Sequence, residues 1–211
     1  MAAHQFNNAI TGCHRLGIMG GTFDPIHFGH LSIAKSVSAL FSLGIVIFVP
    51  SYCPPHKSIT DIAPVKHRFA MVQLAIADNP YFGASRIELD RDCPTYAGDT
   101  IEEFKKIYAN GKLYFITGVD ALLTIVNRDR SKTYPGICQF IAAARPGYDT
   151  EKIKKDIPEE FLPYVSIVED LSVEVSSTDV RRKIRVGEPV DQMVPPAVID
   201  YIERWNLYKT A

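Results

Sequence analysis

The sequence predicts an α/β protein with a doubly wound, mainly parallel sheet and C-terminal helices. Short apolar runs of strand length alternate along the chain with longer segments whose apolar residues recur at helical spacing. This alternation is typical of parallel sheets that are joined by right-handed crossovers. The unusual loops each follow a predicted strand. We therefore expect them to gather at the carboxyl edge of the sheet, where such folds bind ligands.

Several short runs rich in β-branched and aromatic residues are predicted as strands. They cover residues 16–19, 45–49, 82–89, 113–117, 139–144 and 165–168. The second run is apolar at every position, which indicates a strand that is buried on both faces of the sheet. Breaker residues bound the runs, since Pro50 ends the second run and Gly118 follows the fourth.

The segments predicted as helices lie between the strands or after the last one. Two of them begin near residues 30 and 119. The other four cover residues 64–78, 97–110, 176–185 and 195–205. Pro64 suits a first helical turn, and Gly111 suits a C-terminal stop. Residues 151–161 are charged and weakly periodic, and their pattern favours neither helix nor strand.

Length and composition favour one globular domain over residues 15–211, preceded by a flexible extension over residues 1–14. The net charge of −1 argues against a broad basic surface for nucleic acid or a membrane, so anion binding has to be local. No apolar run has the length of a membrane span, and the first fourteen residues lack the apolar centre of a signal peptide. The four cysteines lack zinc-site or disulfide spacing, which favours a cytoplasmic protein with reduced thiols.

The most informative stretch covers residues 16–30, where a strand, a glycine turn and a helix start are predicted. Gly20 and Gly21 end the strand, and His27 and His30 stand where the helix begins. Backbone N–H groups and the positive end of a helix dipole make such a turn suitable for a phosphate. Because the histidines are three residues apart, we expect their rings to point the same way. The stretch lacks the spacing of a Walker loop and of a dinucleotide fingerprint.

A second anion site is predicted at residues 175–181, Val-Ser-Ser-Thr-Asp-Val-Arg. Ser176 or Ser177 can cap the helix, and Asp179 suits its first turn. Hydroxyl and N–H groups at a helix start, with Arg181 one turn further on, are suited to a phosphate. The alternative is a well-capped helix without a ligand, and these residues alone do not separate the two.

The string Gly-Gly-Thr-Phe-Asp-Pro-Ile-His-x-Gly-His at residues 20–30 contains a motif that resembles the His-x-Gly-His of the nucleotidyltransferase superfamily. The full string looks most like the pyridine-nucleotide adenylyltransferases, and Ser-Ser-Thr-x-x-Arg at residues 176–181 resembles a second motif of that family. The resemblance covers residues 15–208 and is closest to the bacterial nicotinate-mononucleotide adenylyltransferases. It implies a Rossmann-like fold of the nucleotidyltransferase type.

In that family the two motifs hold ATP, so the resemblance implies catalytic roles for His27, His30 and Arg181. Gly118-Val-Asp120 matches a family motif whose carboxylate binds the ribose of ATP, and the turn at Arg145 matches one near the adenine. The resemblance thus implies an ATP site of Gly20, Gly21, Thr22, Phe23, His27, His30, Gly118, Asp120, Arg145, Ser176, Ser177, Thr178 and Arg181.

Residues 54–57, Pro-Pro-His-Lys, and the segment that begins at Tyr96 resemble family segments at the mononucleotide. The resemblance implies that the mononucleotide is bound by Lys57, Tyr96, Thr100 and Arg128.

Two positions depart from the family pattern: Ala97 replaces a threonine, and Arg128 replaces a tryptophan that stacks on the pyridine ring. An arginine can stack on a ring or pair with a carboxylate, and Tyr134 is an alternative stacking residue. The only tryptophan, Trp205, is expected to serve packing.

The resemblance implies ATP and nicotinate mononucleotide as substrates, deamido-NAD and pyrophosphate as products, and a role in NAD biosynthesis. It implies Mg²⁺ as a cofactor that binds mainly through ATP phosphates, with no dedicated protein metal site. Neither nucleic acid nor a membrane is expected as a partner, and a homo-oligomer is left open. The alternatives are a nicotinamide-mononucleotide or dual-specificity enzyme, pantetheine-phosphate adenylyltransferase, a cytidylyltransferase and a non-catalytic nucleotide sensor.

Overall fold

A computed structural model of the protein describes residues 14–52, 62–91, 95–127, 134–144, 149–169 and 175–209. The strands among these residues are β1 (Arg15–Gly21), β2 (Ile45–Pro50), β3 (Phe82–Ala84), β4 (Lys112–Gly118), β5 (Cys138–Ala143) and β6 (Val165–Val168). They form one sheet in the order β3-β2-β1-β4-β5-β6, and every neighbouring pair is parallel. This confirms the predicted doubly wound parallel sheet.

The helices of the described residues connect or follow these strands. They are α1 (Phe28–Leu40), α2 (Val65–Ile76), α3 (Ala97–Ile107), α4 (Val119–Val126), α5 (Thr150–Lys155), α6 (Ser177–Arg185) and α7 (Pro196–Arg204), with a 3₁₀ turn at Leu162–Tyr164. Each predicted helix is confirmed, with its ends moved by a few residues. The segment 151–161, whose pattern favoured no structure, contains most of α5. The Asp149 side chain caps this helix by accepting the N–H groups of Glu151 and Lys152.

The third strand is shorter than predicted, because it covers Phe82–Ala84 instead of residues 82–89. Beyond it the chain turns, since the N–H groups of residues 89 and 90 both donate to the carbonyl of Arg86. The turn buries Glu88, which is 5% exposed. A carboxylate that is buried beside a turn gives no periodic signal, so the apolar residues around it suggested a longer strand.

Two apolar cores lie on opposite faces of the sheet, because successive side chains of a strand point in opposite directions. In β2, Ile45, Ile47 and Val49 belong to one core, and Val46 and Phe48 belong to the other. Helices α3, α4 and α5 contribute to the first core, and α1, α2, α6 and α7 contribute to the second. Strand β2 is therefore covered on both faces, as its apolar run predicted.

The strand order reverses between β1 and β4, which are neighbours in the sheet. The connections that leave the carboxyl ends of these two strands diverge, and a crevice opens between them. Residues 20–30 follow β1, and residues 118–120 follow β4, so the two segments flank this crevice. None of the helices in the described parts of the chain combines the length and the hydropathy needed to span a bilayer.

Cys138, at the start of β5, gives a test of this packing. Burial raises the pKa of its thiol to about 12. Because the thiolate is the reactive form, we expect Cys138 to resist iodoacetamide at about pH 8 in the folded protein. Peptide mapping after alkylation measures this, and the same reaction in denaturant is the positive control. Equal labelling of Cys138 in both conditions would contradict the buried position.

Candidate active site

The two histidines of the glycine turn lie side by side at the start of α1. His27 is the N-cap residue and is buried, and His30 lies in the first turn. Their rings stack with 3.7 Å between centroids and 27° between planes, which confirms that they point the same way. The Nδ1 atom of His30 accepts the backbone N–H of His27 at 3.3 Å. In the neutral ring the proton is therefore on Nε2, which makes that atom a hydrogen-bond donor.

Aromatic rings determine the shape of the turn before α1. A Cβ atom on Gly20 would lie 2.7 Å from the Phe115 ring, and one on Gly21 would lie 2.9 Å from the Phe23 ring. Phe23 is buried in a left-handed conformation with φ of 48°. Its ring meets the His30 ring edge-on at 5.0 Å between centroids. The glycines thus allow the chain to pass close to two rings, one of which supports His30.

Asp24 places a buried carboxylate in the same turn, where it is 1% exposed. Its Oδ1 atom accepts the Tyr208 hydroxyl at 2.8 Å and the Ala63 N–H at 3.1 Å. Its Oδ2 atom lies 3.6 Å from Nη1 of Arg181. Burial, together with the Asp24 carboxylate, raises the pKa of Tyr208, so the hydroxyl stays protonated and donates. The sequence gives no local signal for a role of Asp24 or Tyr208, because their contact joins residues 184 positions apart.

The two predicted phosphate motifs meet directly at this turn. The Ser177 hydroxyl donates to the Pro25 carbonyl at 3.0 Å, and Nη1 of Arg181 donates to the Asp24 carbonyl at 2.7 Å. These contacts join residues 152 and 157 positions apart. The start of α6 therefore closes one side of the loop that carries the histidines.

Helix α6 begins as its sequence predicted, with Ser176 at the N-cap. The Ser176 hydroxyl oxygen accepts the Asp179 N–H at 3.0 Å. Thr178 is exposed, and its hydroxyl oxygen accepts Nη2 of Arg181 at 3.4 Å. The Arg181 side chain is 24% exposed, so its guanidinium contacts the β1 loop and is also accessible to solvent.

Gly118 and Asp120 lie at the carboxyl end of β4, across the crevice from the histidine loop. Gly118 is the N-cap residue of α4, and Asp120 is an exposed residue of its first turn. A Cβ atom on Gly118 would meet no atom within 4 Å, so the space above it is open. Within the described ranges, no three His, Cys, Asp or Glu side chains are grouped so as to hold a metal ion.

Two of the residues predicted to bind the mononucleotide, Tyr96 and Thr100, lie at the start of α3. Tyr96 is the N-cap residue and is partly exposed. Thr100 is fully buried; its hydroxyl donates to Glu88 at 2.7 Å and accepts Nη1 of Arg91 at 3.2 Å. The prediction that Thr100 binds the mononucleotide is therefore corrected, because its side chain is inaccessible and supports the start of α3. The other residues predicted around the two ligands lie outside the described residues: Lys57, Arg128 and Arg145.

Tyr134 and Trp205 both contact other side chains of the protein, Tyr134 as a buried residue and Trp205 as a half-exposed one at the end of α7. Tyr134 is 7% exposed, and its hydroxyl occupies the space that a Cβ atom on Gly98 would need. A ring buried in this way does not stack on a substrate, so the alternative stacking role of Tyr134 is not supported. The Trp205 ring lies 5.1 Å from the His67 ring and 6.1 Å from the Tyr201 ring, which agrees with the expected packing role.

Two further buried charged residues beside the site, Arg68 and Glu88, were not predicted from the sequence. Arg68 had a detectable signal: it lies three residues after Val65 and four before Val72, on the apolar stripe of α2. A charge on a buried stripe indicates a specific set of partners. Glu88 had no such signal, because it lies in the turn that was predicted as part of a strand.

Comparisons with known proteins identify relatives over nearly the whole chain. The model of the cytidylyltransferase-like family matches residues 18–183. A protein of Thermoanaerobacter sp. (strain X514) named "Probable nicotinate-nucleotide adenylyltransferase" is 44% identical over 199 residues, 92% of this chain and 94% of that protein. A protein of the same name from Moorella thermoacetica is 41% identical over 206 residues, 96% of this chain and 95% of that protein.

Solved structures show the same fold. Plasmodium falciparum nicotinic acid mononucleotide adenylyltransferase complexed with NaAD aligns with a TM-score of 0.74 and 22% identity, covering 92% of this chain and 97% of that one. The same Plasmodium protein complexed with APC aligns with a TM-score of 0.72 and 22% identity, over the same shares of both chains.

The contact between Tyr208 and Asp24 predicts a stability difference. Tyr208→Phe removes a hydrogen bond to a buried carboxylate, and we expect it to lower the free energy of unfolding by about 1–3 kcal/mol. Urea denaturation measures this. Tyr81→Phe is the matched control, since Tyr81 is 63% exposed. We expect the control to change the stability by less than about 0.5 kcal/mol. Equal stabilities of the two variants would contradict the importance of this contact.

Proposed function

Because the chain belongs to the cytidylyltransferase-like family and, within it, to the nicotinate-nucleotide adenylyltransferases, we propose that it transfers the adenylyl group of ATP to nicotinate mononucleotide. The observation that carries the proposal is the contact of Arg181 with Asp24 and of Ser177 with Pro25, beside the stacked histidines. It gathers imidazole, guanidinium and helix N–H donors at one end of β1. Such a set of donors is suited to a triphosphate.

In the proposed reaction, a phosphate oxygen of the mononucleotide attacks the α-phosphorus of ATP. The new P–O bond forms as the bond to pyrophosphate breaks, which yields deamido-NAD for NAD biosynthesis. A phosphate is already an anionic nucleophile near pH 7, so no side chain has to serve as a general base. The contribution of the chain is then positioning and the stabilisation of charge on the phosphate oxygens.

The histidines are proposed to donate hydrogen bonds to these oxygens as charge develops. The contact with the His27 N–H orients the His30 ring and keeps the proton on Nε2, on the far side of the ring. The first turn of α1 contains no acidic residue that would compete with a phosphate for the positive end of the helix dipole. His27 stacks on His30 and is proposed to act at a neighbouring oxygen.

The other site residues keep the roles that the resemblance implied, as parts of this proposal. The glycine turn lies along the triphosphate, the start of α6 holds its outer phosphates, and the end of β4 binds the ribose. The residues proposed for ATP, besides the histidines, are Gly20, Gly21, Thr22, Phe23, Gly118, Asp120, Arg145, Ser176, Ser177, Thr178 and Arg181. Those proposed for the mononucleotide are Lys57, Tyr96 and Arg128.

ATP is proposed to bind as its magnesium complex. Asp24, the buried carboxylate nearest the histidines in the chain, already accepts hydrogen bonds from Tyr208 and Ala63. Because this carboxylate is engaged within the protein, the site fits an ion whose ligands are mainly phosphate oxygens, as is usual for Mg²⁺ at nucleotides. When bound, the ion neutralises phosphate charge. Since the reaction consumes ATP, we also propose a cytoplasmic location.

The substrate is tested by product analysis. The protein is incubated with MgATP and, in turn, with nicotinate mononucleotide, nicotinamide mononucleotide and phosphopantetheine, while pyrophosphate release is followed and the product is identified by mass. We expect the highest kcat/KM with nicotinate mononucleotide. No product with either pyridine nucleotide would overturn the proposal and favour a nucleotide sensor. Faster reaction with the nicotinamide compound would assign the alternative specificity that Ala97 and Arg128 leave open.

The histidine role is tested by His30→Ala. Loss of a charge-assisted hydrogen bond in the transition state is expected to lower kcat about 10²-fold, since 1.36 kcal/mol corresponds to a factor of ten. His14→Ala is the matched control, because His14 is exposed and precedes β1. Steady-state kinetics of both variants measure the effect. An activity of His30→Ala within about threefold of the parent protein would refute the role.

The open space at Gly118 is tested by Gly118→Ala. Alanine fits the backbone there, because φ is −76° and ψ is 158°, so we expect little change in Tm. The added methyl group enters the proposed ATP space and is expected to raise the KM for ATP roughly fivefold or more. In Gly20→Ala, by contrast, the methyl group meets the Phe115 ring, and we expect a lower Tm. An unchanged KM in Gly118→Ala would place ATP elsewhere.

A further inference from the structure

Arg68 is a fully buried arginine that donates to three backbone carbonyls in different segments. Its Nε atom donates to Ala63 at 2.8 Å, Nη1 donates to Thr22 at 2.6 Å, and Nη2 donates to Tyr52 at 3.4 Å. Thr22 belongs to the loop after β1, and Tyr52 follows the end of β2. One guanidinium therefore links the carboxyl ends of two neighbouring strands to the residues that precede α2.

Glu88 holds the same region from the other side. Its carboxylate accepts the Thr100 hydroxyl at 2.7 Å, in the first turns of α3. Burial raises the pKa of the carboxyl group, and the Thr100 hydrogen bond is the first of several interactions that oppose this rise. Glu88 thereby joins the turn after β3 to the start of α3, and β3 pairs directly with β2.

Arg68 and Glu88 are buried charged residues that act on neighbouring segments. Burial lowers the Arg68 pKa, and nearby acidic groups oppose this shift, Asp24 most strongly and Glu88 less so. Burying both groups is costly, and a fixed arrangement of hydrogen bonds compensates for that cost.

We propose that Arg68 and Glu88 are positioning residues. They fix the ATP-binding part of the site relative to the part that binds the mononucleotide. Arg68 fixes the histidine loop at Thr22 relative to the end of β2 and to the segment before α2. Glu88 fixes the start of α3, where Tyr96 lies, relative to the turn after β3, the neighbour of β2. The proposal rests on the proposed function for its kinetic part. Its structural part, the two sets of hydrogen bonds, does not depend on any activity.

The kinetic test compares Arg68→Lys and Glu88→Gln, which retain most of the size of each side chain. Lysine keeps the charge but not the fork that reaches three carbonyls. We expect kcat to fall about 10- to 100-fold in Arg68→Lys, because a small misplacement of the reacting atoms is costly. In Glu88→Gln we expect the KM for nicotinate mononucleotide to rise roughly tenfold, while the KM for ATP stays within about threefold.

Arg204→Lys and Glu102→Gln are the matched controls, since both parent residues are exposed, and they should behave like the parent protein. A merely structural role would lower the Tm and the active fraction, but would leave both KM values unchanged. That outcome in Glu88→Gln would overturn the proposal. Unchanged kcat in a folded Arg68→Lys would overturn it as well.

Amide hydrogen exchange, followed by NMR without substrates, keeps the test independent of activity. In Arg68→Lys, the Ala63 amide, which donates to Asp24, is expected to exchange at least about tenfold faster. In Glu88→Gln, the same is expected of the Thr100 amide, which donates to the Tyr96 carbonyl. The amide of Ile47 within β2 is expected to be unchanged in both variants. An unchanged rate of the Ala63 or Thr100 amide in its variant would refute the positioning role. If the parent protein makes no product but these rates rise as expected, the proposed function fails and the structural part stands. If Arg68→Lys does not fold, Glu88→Gln alone decides both readouts.

Discussion

The burial of one carboxylate, that of Asp24, is the constraint on which the rest of the site depends. An unpaired carboxylate in the interior is strongly unfavourable, so the fold has to supply donors around it. These donors come from the segment before α2 and from residue 208, with the Arg181 guanidinium close by. To provide them, the C-terminal helices have to pack on the same face of the sheet as α1 and α2. The loop that carries the histidines is thereby closed by residues that lie far from it in the sequence.

Most of the fold was predictable from the sequence, because its signals are local. Apolar runs such as residues 45–49 and helical stripes such as that of α2 depend only on nearby residues, and parallel connection follows from their alternation. The exceptions have local causes too. Residues 82–89 looked like one strand, although the chain leaves the sheet after Ala84 and turns to bury Glu88.

The candidate site was predictable only in part. The glycine turn, the histidine pair and the capped start of α6 have short-range patterns, and the structure brings them together. Thr100 matched a family pattern equally well, but its hydroxyl is used inside the protein by Glu88 and Arg91. A sequence pattern shows that a residue is required, not whether it contacts a ligand or supports one that does. Arg68 and Glu88 belong to the second kind, since Arg68 donates to three backbone carbonyls and Glu88 accepts the Thr100 hydroxyl.

The position of Tyr208 after β6 and the last two helices has a consequence for protein synthesis. The histidine loop leaves the ribosome early, and β1 to β6 can pair before the last two helices have emerged. At that stage Asp24 lacks its hydroxyl donor, and the histidine loop lacks the helices that close it. The sheet can therefore form before the proposed nucleotide site is complete. We expect nucleotide to stabilise the fold by mass action only after residue 208 has emerged.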